Sequence, residues 1–496
     1  MTQIKRPTAR PRHSAGTPDR DASDLKTTDM HCAIQPDPTA LTLPTELLSE
    51  FGVAGPRYTS YPTADRFVEA FGPDDQARAM RLRREDGTQS APLSMYVHIP
   101  FCESLCYYCA CNKVVTRHRE KASHYLNYLA REAQLLAAQL EPGAAVSQLH
   151  LGGGSPTFLD DAELDALLSM LRDSFTFAAG AEQSIEIDPR TVDAQRLAHL
   201  SALGFNRLSF GVQDFDPDVQ RAVHRIQPAS QVFELMDAAR SLGFESVNVD
   251  LIYGLPRQND ASFERTLAQV SALRPDRIAL YAYAHLPERF KSQRRILAED
   301  LPDAPARVRM LARAIQVLGG AGYVYIGMDH FALPGDALAI AKRRGRLHRD
   351  FQGYSTQPDG DLLALGVSAI GRVGATYSQN AKSLELYYDL LDQHRLPVVR
   401  GLSLSRDDLL RRDVIMALMC HGRVDFDAMG QAHAIDFRNR FAPEFAALGP
   451  LVAKGLVRLS DHHIEVTPQG WFLVRVVAMV FDKYCHASGT RFSHVV

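Results

Sequence analysis

Residues 96–115 read YVHIPFCESLCYYCACNKVV, and four of the chain's seven cysteines, Cys102, Cys106, Cys109 and Cys111, fall inside them. Thiolates gathered this densely, in a chain with an odd cysteine count, point to metal or catalysis rather than a disulfide framework. A structural zinc site wants four ligands, usually as two separated pairs, and no second pair follows here. A ferredoxin-type carrier needs four cysteines per cluster, at spacings such as Cys-x-x-Cys-x-x-Cys or with a distant fourth partner. The third reading is an iron–sulfur cluster held by Cys102, Cys106 and Cys109 alone, in the spacing Cys-x-x-x-Cys-x-x-Cys. Three thiolates leave one iron open, and an open position is what separates a catalytic metal site from a structural one. Cys111 is then left over: a fourth ligand when nothing else binds, a reactive group near substrate, or a spare. A ligand role would close the site, so Cys111 is expected to stay off the iron during turnover. His98, between strand and cysteines, either positions substrate or cluster or is a satisfied structural histidine.

Such a loop has to be held. From residue 93 onward, short apolar or β-branched runs (LSMYVHI, VSQLHL, QSIEIDP, NRLSFGV, ESVNVDLIYG, DRIALYAY) alternate with amphipathic stretches such as KASHYLNYLAREAQLLAAQL and DASFERTLAQVSAL. Apolar positions in the latter recur at three and four, as core-facing helices require. The alternation predicts parallel strands joined by right-handed helical crossovers. About six units can be counted, so the fold class is α/β: a partial, open (β/α)6 TIM-like barrel with a C-terminal, mainly helical domain. A doubly wound open sheet is the alternative. In both, ligands gather at the carboxyl ends of the strands. HIPFC, GGGSP, EIDPR, GVQDF, DLIYGLP and YAHLP all fall there.

Residues 1–45, rich in Pro, Thr, Asp and Arg, read as a disordered leader. Residues 46–92 read as a segment covering the site and 93–330 as the barrel. Residues 331–390 read as an irregular, glycine-containing extension that completes the site. Residues 391–496 read as a winged-helix-like helical domain with a hairpin in LVRLSDHHIEVTP. That module lacks a basic stripe and the formal net charge is −3, so a packed lid is preferred over nucleic-acid binding. No apolar run approaches the roughly 18 residues of a membrane span, and the N-terminus lacks a secretory signal's apolar core. The chain is expected to be cytoplasmic, monomeric and free of nucleic-acid and membrane partners.

The spacing of Cys102, Cys106 and Cys109, with aromatic Tyr108 before the third cysteine, resembles the radical S-adenosylmethionine (radical SAM) superfamily. In that superfamily the open iron of a 4Fe–4S cluster binds SAM, and one-electron cleavage yields a 5′-deoxyadenosyl radical. CESLCYYCACNK, GPRYTSYPTA, QLHLGGGSPTFL, SIEIDPR, RLSFGVQDFD, VNVDLIYGLPRQ, GMDHFALP and LHRDFQGYSTQ together resemble one branch, the oxygen-independent coproporphyrinogen III oxidases. The resemblance covers residues 50–496. It implies conversion of coproporphyrinogen III to protoporphyrinogen IX, losing CO2 and hydrogen from two propionates to leave vinyls. It also implies two SAM molecules, an electron donor and an electron acceptor. Tyr96, Gly153, Glu186 and Ile370 match positions for the cluster-bound SAM, and Tyr108, Gly154, Ser155, Gln213, Arg225, Asp250 and Ala284 match positions for the second. Relatives that deliver haem as chaperones share the cysteine spacing but lack the segment before it and the fourth cysteine. Both features are present here. Tyr108 and GGGSP depart from the more usual phenylalanine and GGGTP, while keeping the ring and the hydroxyl.

Overall fold

Six of those runs become parallel strands. The computed structural model describes residues 45–51, 54–85, 93–141, 143–328 and 330–485. Except for Thr45, the expected leader lies outside the described residues. Strands β1 (Leu93–Ile99), β2 (Ala145–Gly153), β3 (Thr176–Ile187), β4 (Arg207–Gln213), β5 (Ser246–Tyr253) and β6 (Arg277–Ala282) lie side by side in chain order, each parallel to the next. The crossovers are α1 (Glu120–Ala137), α2 (Asp161–Ser174), α3 (Ala194–Ala202), α4 (Ala229–Ser241) and α5 (Asp260–Leu273). Side-chain acceptors start three of them. Asp160, Asp193 and Asn259 accept the amides of Glu163, Arg196 and Ser262, which would otherwise be unpaired.

Alternation along the strands divides the sheet into two chemically different faces. Met95, Val97 and Ile99, Leu149 and Leu151, Ile185 and Ile187, Leu208, Phe210 and Val212, and Val247, Val249 and Leu251 are all buried, in one core with the helices' leucines. The other face carries Tyr96, His98, His150, Glu186, Ser209, Asn248, Asp250 and Tyr281. Closed barrels fill their interior with packed apolar layers. A polar interior face cannot pack that way, so this lumen is built to meet a ligand.

The sheet does not end at six strands. β7 (Val324–Gly327) and β8 (His330–Ala332) form a hairpin whose second strand runs antiparallel to β6. At the opposite edge β9 (Leu362–Leu365) pairs in parallel with β1, followed by β10 (Ile370–Val373), β11 (Thr376–Asn380) and β12 (Val398–Ser403), each antiparallel to its neighbour. The stretch read as irregular therefore supplies strands. LLAL and IGRV are four-residue runs each followed directly by a glycine, too short for a periodicity to declare them.

Segment 54–85 is stitched to this edge and to the C-terminal region. Val68 and Gly401 exchange backbone hydrogen bonds of 2.8 and 3.1 Å, Tyr58 donates to Asp482 at 3.0 Å, and Arg475 Nε donates to Pro56 O at 3.1 Å. A long helix, α6 (Arg406–His421), precedes a three-stranded antiparallel wing of Arg423–Asp425, His463–Val466 and Val457–Leu459. The wing region docks onto the sheet through Trp471, whose indole N–H donates to Ile326 O at 3.1 Å.

Candidate radical SAM site

β1 delivers the chain to the cysteine loop at its carboxyl end. The two-residue strand Phe101–Cys102 pairs with Val114–Val115, so the loop leaves and returns at one place. Val114 N donates to Pro100 O at 2.8 Å, and Thr116 N to Cys102 O at 2.9 Å. The glycine turn after β2 closes the base, with Gly154 N donating to Ile99 O at 2.8 Å and Ser155 N to Phe101 O at 2.9 Å. A β-carbon on Gly154 would stand 2.5 Å from Pro100 O, so this approach requires glycine. Gly153 adopts φ +119°, and a β-carbon there would meet the His98 ring at 2.7 Å. Gly153, Gly154 and Ser155 thus stand directly beneath the cysteine loop, two of their amides already spent on it.

His98 braces the loop from inside. Its Nε2 lies 2.9 Å from Asn112 O and its Nδ1 3.0 Å from the Tyr96 hydroxyl. A carbonyl only accepts, so Nε2 carries the proton and Nδ1 accepts from Tyr96. Burial lowers the imidazole's pKa, against the Asn112 hydrogen bond and the Glu186 charge. Both ring nitrogens are therefore engaged, one toward β1 and one toward the residue after Cys111.

Cys106 is buried, Cys102 and Cys109 are half-buried, and Cys111 is exposed. Burial pushes the Cys102 thiol up to about 12, helped by repulsion from Cys109 and Cys106. The Cys111 thiol hydrogen-bonds Cys109, which holds Cys109 down to about 6 and pushes Cys111 up. Positive charge faces Cys106: Arg225 Nη1 is 3.5 Å and Arg190 Nη2 3.6 Å from its sulfur. Both arginines also grip Asp188, Arg225 at 3.3 Å and Arg190 at 2.7 Å. Burial would raise Asp188, but the guanidiniums outweigh it and hold the carboxyl below its usual range.

The lumen wall continues across β2 to β5. Tyr96 stacks on His150 with centroids 5.9 Å apart, His150 Nε2 lies 3.5 Å from Glu186 Oε1, and Gly153 N donates to Glu186 Oε2 at 3.1 Å. Asp250 accepts from Ser209 Oγ at 3.1 Å and Asn248 Nδ2 at 2.8 Å. Burial first, then the Glu186 charge, raises its carboxyl to about 6. Tyr96, Gly153 and Glu186 form one group; Gln213 and Asp250 stand on the next strands, with Tyr108 on the cysteine loop and Arg225 on the loop past β4. Gln213, at φ +69°, places its amide beside Arg225 over Gly211. Tyr108 packs against a small apolar cluster that includes Ile252 and Tyr283. Ala284, just past β6, and Ile370, the first residue of β10, lie toward the two flanks of the sheet.

Residues 96–270 match the radical SAM superfamily model, and residues 404–473 match the HemN C-terminal domain. Oxygen-independent coproporphyrinogen III oxidases of Salmonella typhimurium and Escherichia coli are each 48% identical over 452 residues, which is 91% of this chain and 98% of theirs. The Pseudomonas aeruginosa protein of the same name is 47% identical over 454 residues, with the same coverage of each chain. The chain belongs to the oxygen-independent coproporphyrinogen III oxidase family. The solved structure of Escherichia coli coproporphyrinogen III oxidase (HemN), described as a radical SAM enzyme, superposes with a TM-score of 0.83 at 48% identity. That match covers 86% of this chain and 97% of the other.

The donor set suits the cluster this oxidase family implies. Among the described residues no three His, Cys, Asp or Glu side chains converge on a point that one metal ion could occupy. A cubane bonds each thiolate to a different iron, so its ligands stand apart. Cys102, Cys106 and Cys109 sit close enough on one clamped loop to repel one another, and two arginines are poised to offset the cluster's negative charge. Sequence reasoning missed Asp188, Arg190 and His150. EIDPR is a visible motif, yet only its glutamate was singled out, and His150 was hidden in a strand read for its apolar residues. Among the described residues no helix is long and apolar enough to cross a membrane.

Proposed function

We infer that this chain decarboxylates two propionates of coproporphyrinogen III to vinyl groups, without oxygen, giving protoporphyrinogen IX. Identity of 48% across nearly the full length of oxidases of that name carries the reading. The three-cysteine loop at the mouth of a polar lumen supports it. When bound, a 4Fe–4S cluster and SAM supply a carbon radical able to take hydrogen from an unactivated C–H bond. Each propionate then loses one hydrogen atom, CO2 and one electron, so the reaction needs an acceptor as well as a donor.

The protein's own residues hold and orient. Cys102, Cys106 and Cys109 would ligate the cluster, with Arg225 and Arg190 beside Cys106. Tyr96, Gly153, Glu186 and Ile370 are assigned to one SAM. Glu186 offers acceptors at the strand end for an amino group or ribose hydroxyls. Tyr108, Gly154, Ser155, Gln213, Arg225, Asp250 and Ala284 are assigned to a second. Arg225 is already committed to Asp188 and the Gly211 carbonyl, so its role there is to fix Asp188 and the loop as much as to meet ligand. His98 acts as a strut, and Cys111 stays off the cluster.

An anaerobic assay with coproporphyrinogen III, dithionite and SAM tests the reading. Protoporphyrinogen and CO2 should appear with about two SAM consumed per porphyrinogen, as two decarboxylations require. Stable haem binding without turnover would transfer the chain to the chaperone class.

A further inference from the structure

Two guanidinium groups lie in the lumen with no salt bridge among the described residues. Arg349, on the short strand His348–Asp350, is only 4% exposed. Its Nε and Nη2 each lie 3.3 Å from the Arg57 carbonyl, and its plane rests 4.6 Å over the Tyr354 ring. Tyr354 is itself anchored, donating to Met419 O at 2.9 Å. Arg57, from the segment before the barrel, lies 5.3 Å over Tyr281. Arg349 Nη1 and Arg57 Nη2 are both buried, and among the described residues neither has a hydrogen-bond partner.

The contrast with other buried arginines is sharp. Arg83 pairs with Asp361 at 2.7 Å, Arg225 with Asp188 at 3.3 Å and Arg412 with Asp359 at 2.7 Å. A buried charge without a partner is costly, and two adjacent like charges compound the cost. A carboxylate arriving between them removes the penalty and gains charge-assisted hydrogen bonds.

The surroundings say what carries that carboxylate. Tyr281, His330 and Tyr354 stand edge to face around the pair, with centroids 5.9 and 5.6 Å apart. Burial and the two arginines lower His330 to about 3, so it stays neutral beside them. Tyr281 also feels the Asp250 and Glu186 charges, so the pair lies near the wall assigned to SAM. An aromatic frame around two guanidiniums fits an acid borne on a large, flat, apolar body. We propose that Arg57 and Arg349 bind a propionate carboxylate of the porphyrinogen and orient the macrocycle in the lumen, an inference that rests on the oxidase reading above.

The test titrates coproporphyrin III, and separately its tetramethyl ester, into full-length reconstituted wild type, Arg57→Gln, Arg349→Gln and Arg349→Lys under anaerobic conditions. Porphyrin fluorescence reports binding, and equilibrium dialysis reports SAM. Each Gln variant should bind coproporphyrin III on the order of tenfold or more weakly, the strength expected of a charge-assisted pair. Wild type should lose a similar factor with the ester, Arg349→Lys should recover part of the loss, and SAM affinity and cluster absorbance should not move. Unchanged porphyrin affinity in both Gln variants would overturn the proposal. So would a loss that falls on SAM instead, since the amino-acid carboxylate of SAM shares the same chemistry. If a Gln variant loses its cluster, the ester comparison in wild type and the Lys variant still decide. Failure of wild type to convert coproporphyrinogen III would count against the oxidase reading alone, because the titration does not depend on turnover.

Discussion

Arg225 Nη1 lies 3.5 Å from Cys106 Sγ, and the same guanidinium holds Asp188 at 3.3 Å. The residue most readily taken from sequence as a ligand clamp is therefore also part of the cysteine loop's foundation. Both ends of the Arg225–Asp188 pair are nearly buried, so removing the arginine leaves the acid to Arg190 alone among the described residues. Arg225→Met should cost about 3 kcal/mol of stability, as broken buried pairs do. It should also lower iron content after reconstitution. Urea melts of the apoprotein and iron assays check this; full stability with normal iron would return Arg225 to a pure ligand role.

The cysteines should divide three to one. Cys102→Ala, Cys106→Ala and Cys109→Ala should each abolish the visible absorption of the cluster and SAM cleavage. Cys111→Ala should retain the absorption, since Cys111 is exposed and its thiol hydrogen-bonds Cys109. Equal iron loss in the Cys111 variant would make it a fourth ligand.

Gly154→Ala should damage the loop although it deletes nothing. The added methyl would press on Pro100 O at 2.5 Å and Pro100 C at 2.7 Å, both backbone atoms that cannot swing away. A loss on the order of 1–3 kcal/mol is expected for such overpacking, with weakened cluster binding. Thermal melts of apo and reconstituted protein measure it, and an unchanged melting temperature would refute the steric argument.

Glu132 supplies a pH dependence. Buried at 2% exposure, it accepts from Gly366 N at 2.7 Å, Asn380 Nδ2 at 2.6 Å and Tyr387 Oη at 2.5 Å. Desolvation nevertheless raises its carboxyl from 4.5 to about 7. The folded state thus holds the proton more tightly than the unfolded chain. That stabilisation is fully present below about pH 4.5 and is lost as pH rises toward 7. The change amounts to about 3 kcal/mol. Glu132→Gln, which cannot ionise, should flatten the stability profile across that window. Parallel wild-type and variant profiles in urea melts at pH 5 and 7.5 would contradict it.

Local order was legible in the sequence because local rules write it. The strands at LSMYVHI and VNVDLIY follow from alternating side chains, the helices from three-and-four spacing, and the cysteine loop from the close spacing of its thiols. These signals lie within a few residues of one another, so no folding is needed to see them. What the tertiary structure alone decided were partnerships between distant segments. LLAL became a strand only because β1 offered an open edge. Arg225 turned to Asp188 and Cys106, 37 and 119 residues away. Arg57 and Arg349, 292 residues apart, met in the lumen, where Arg349 donates to the Arg57 carbonyl. Charge pairing and burial depend on distance in space, and a linear sequence does not contain that distance until the chain has closed on itself.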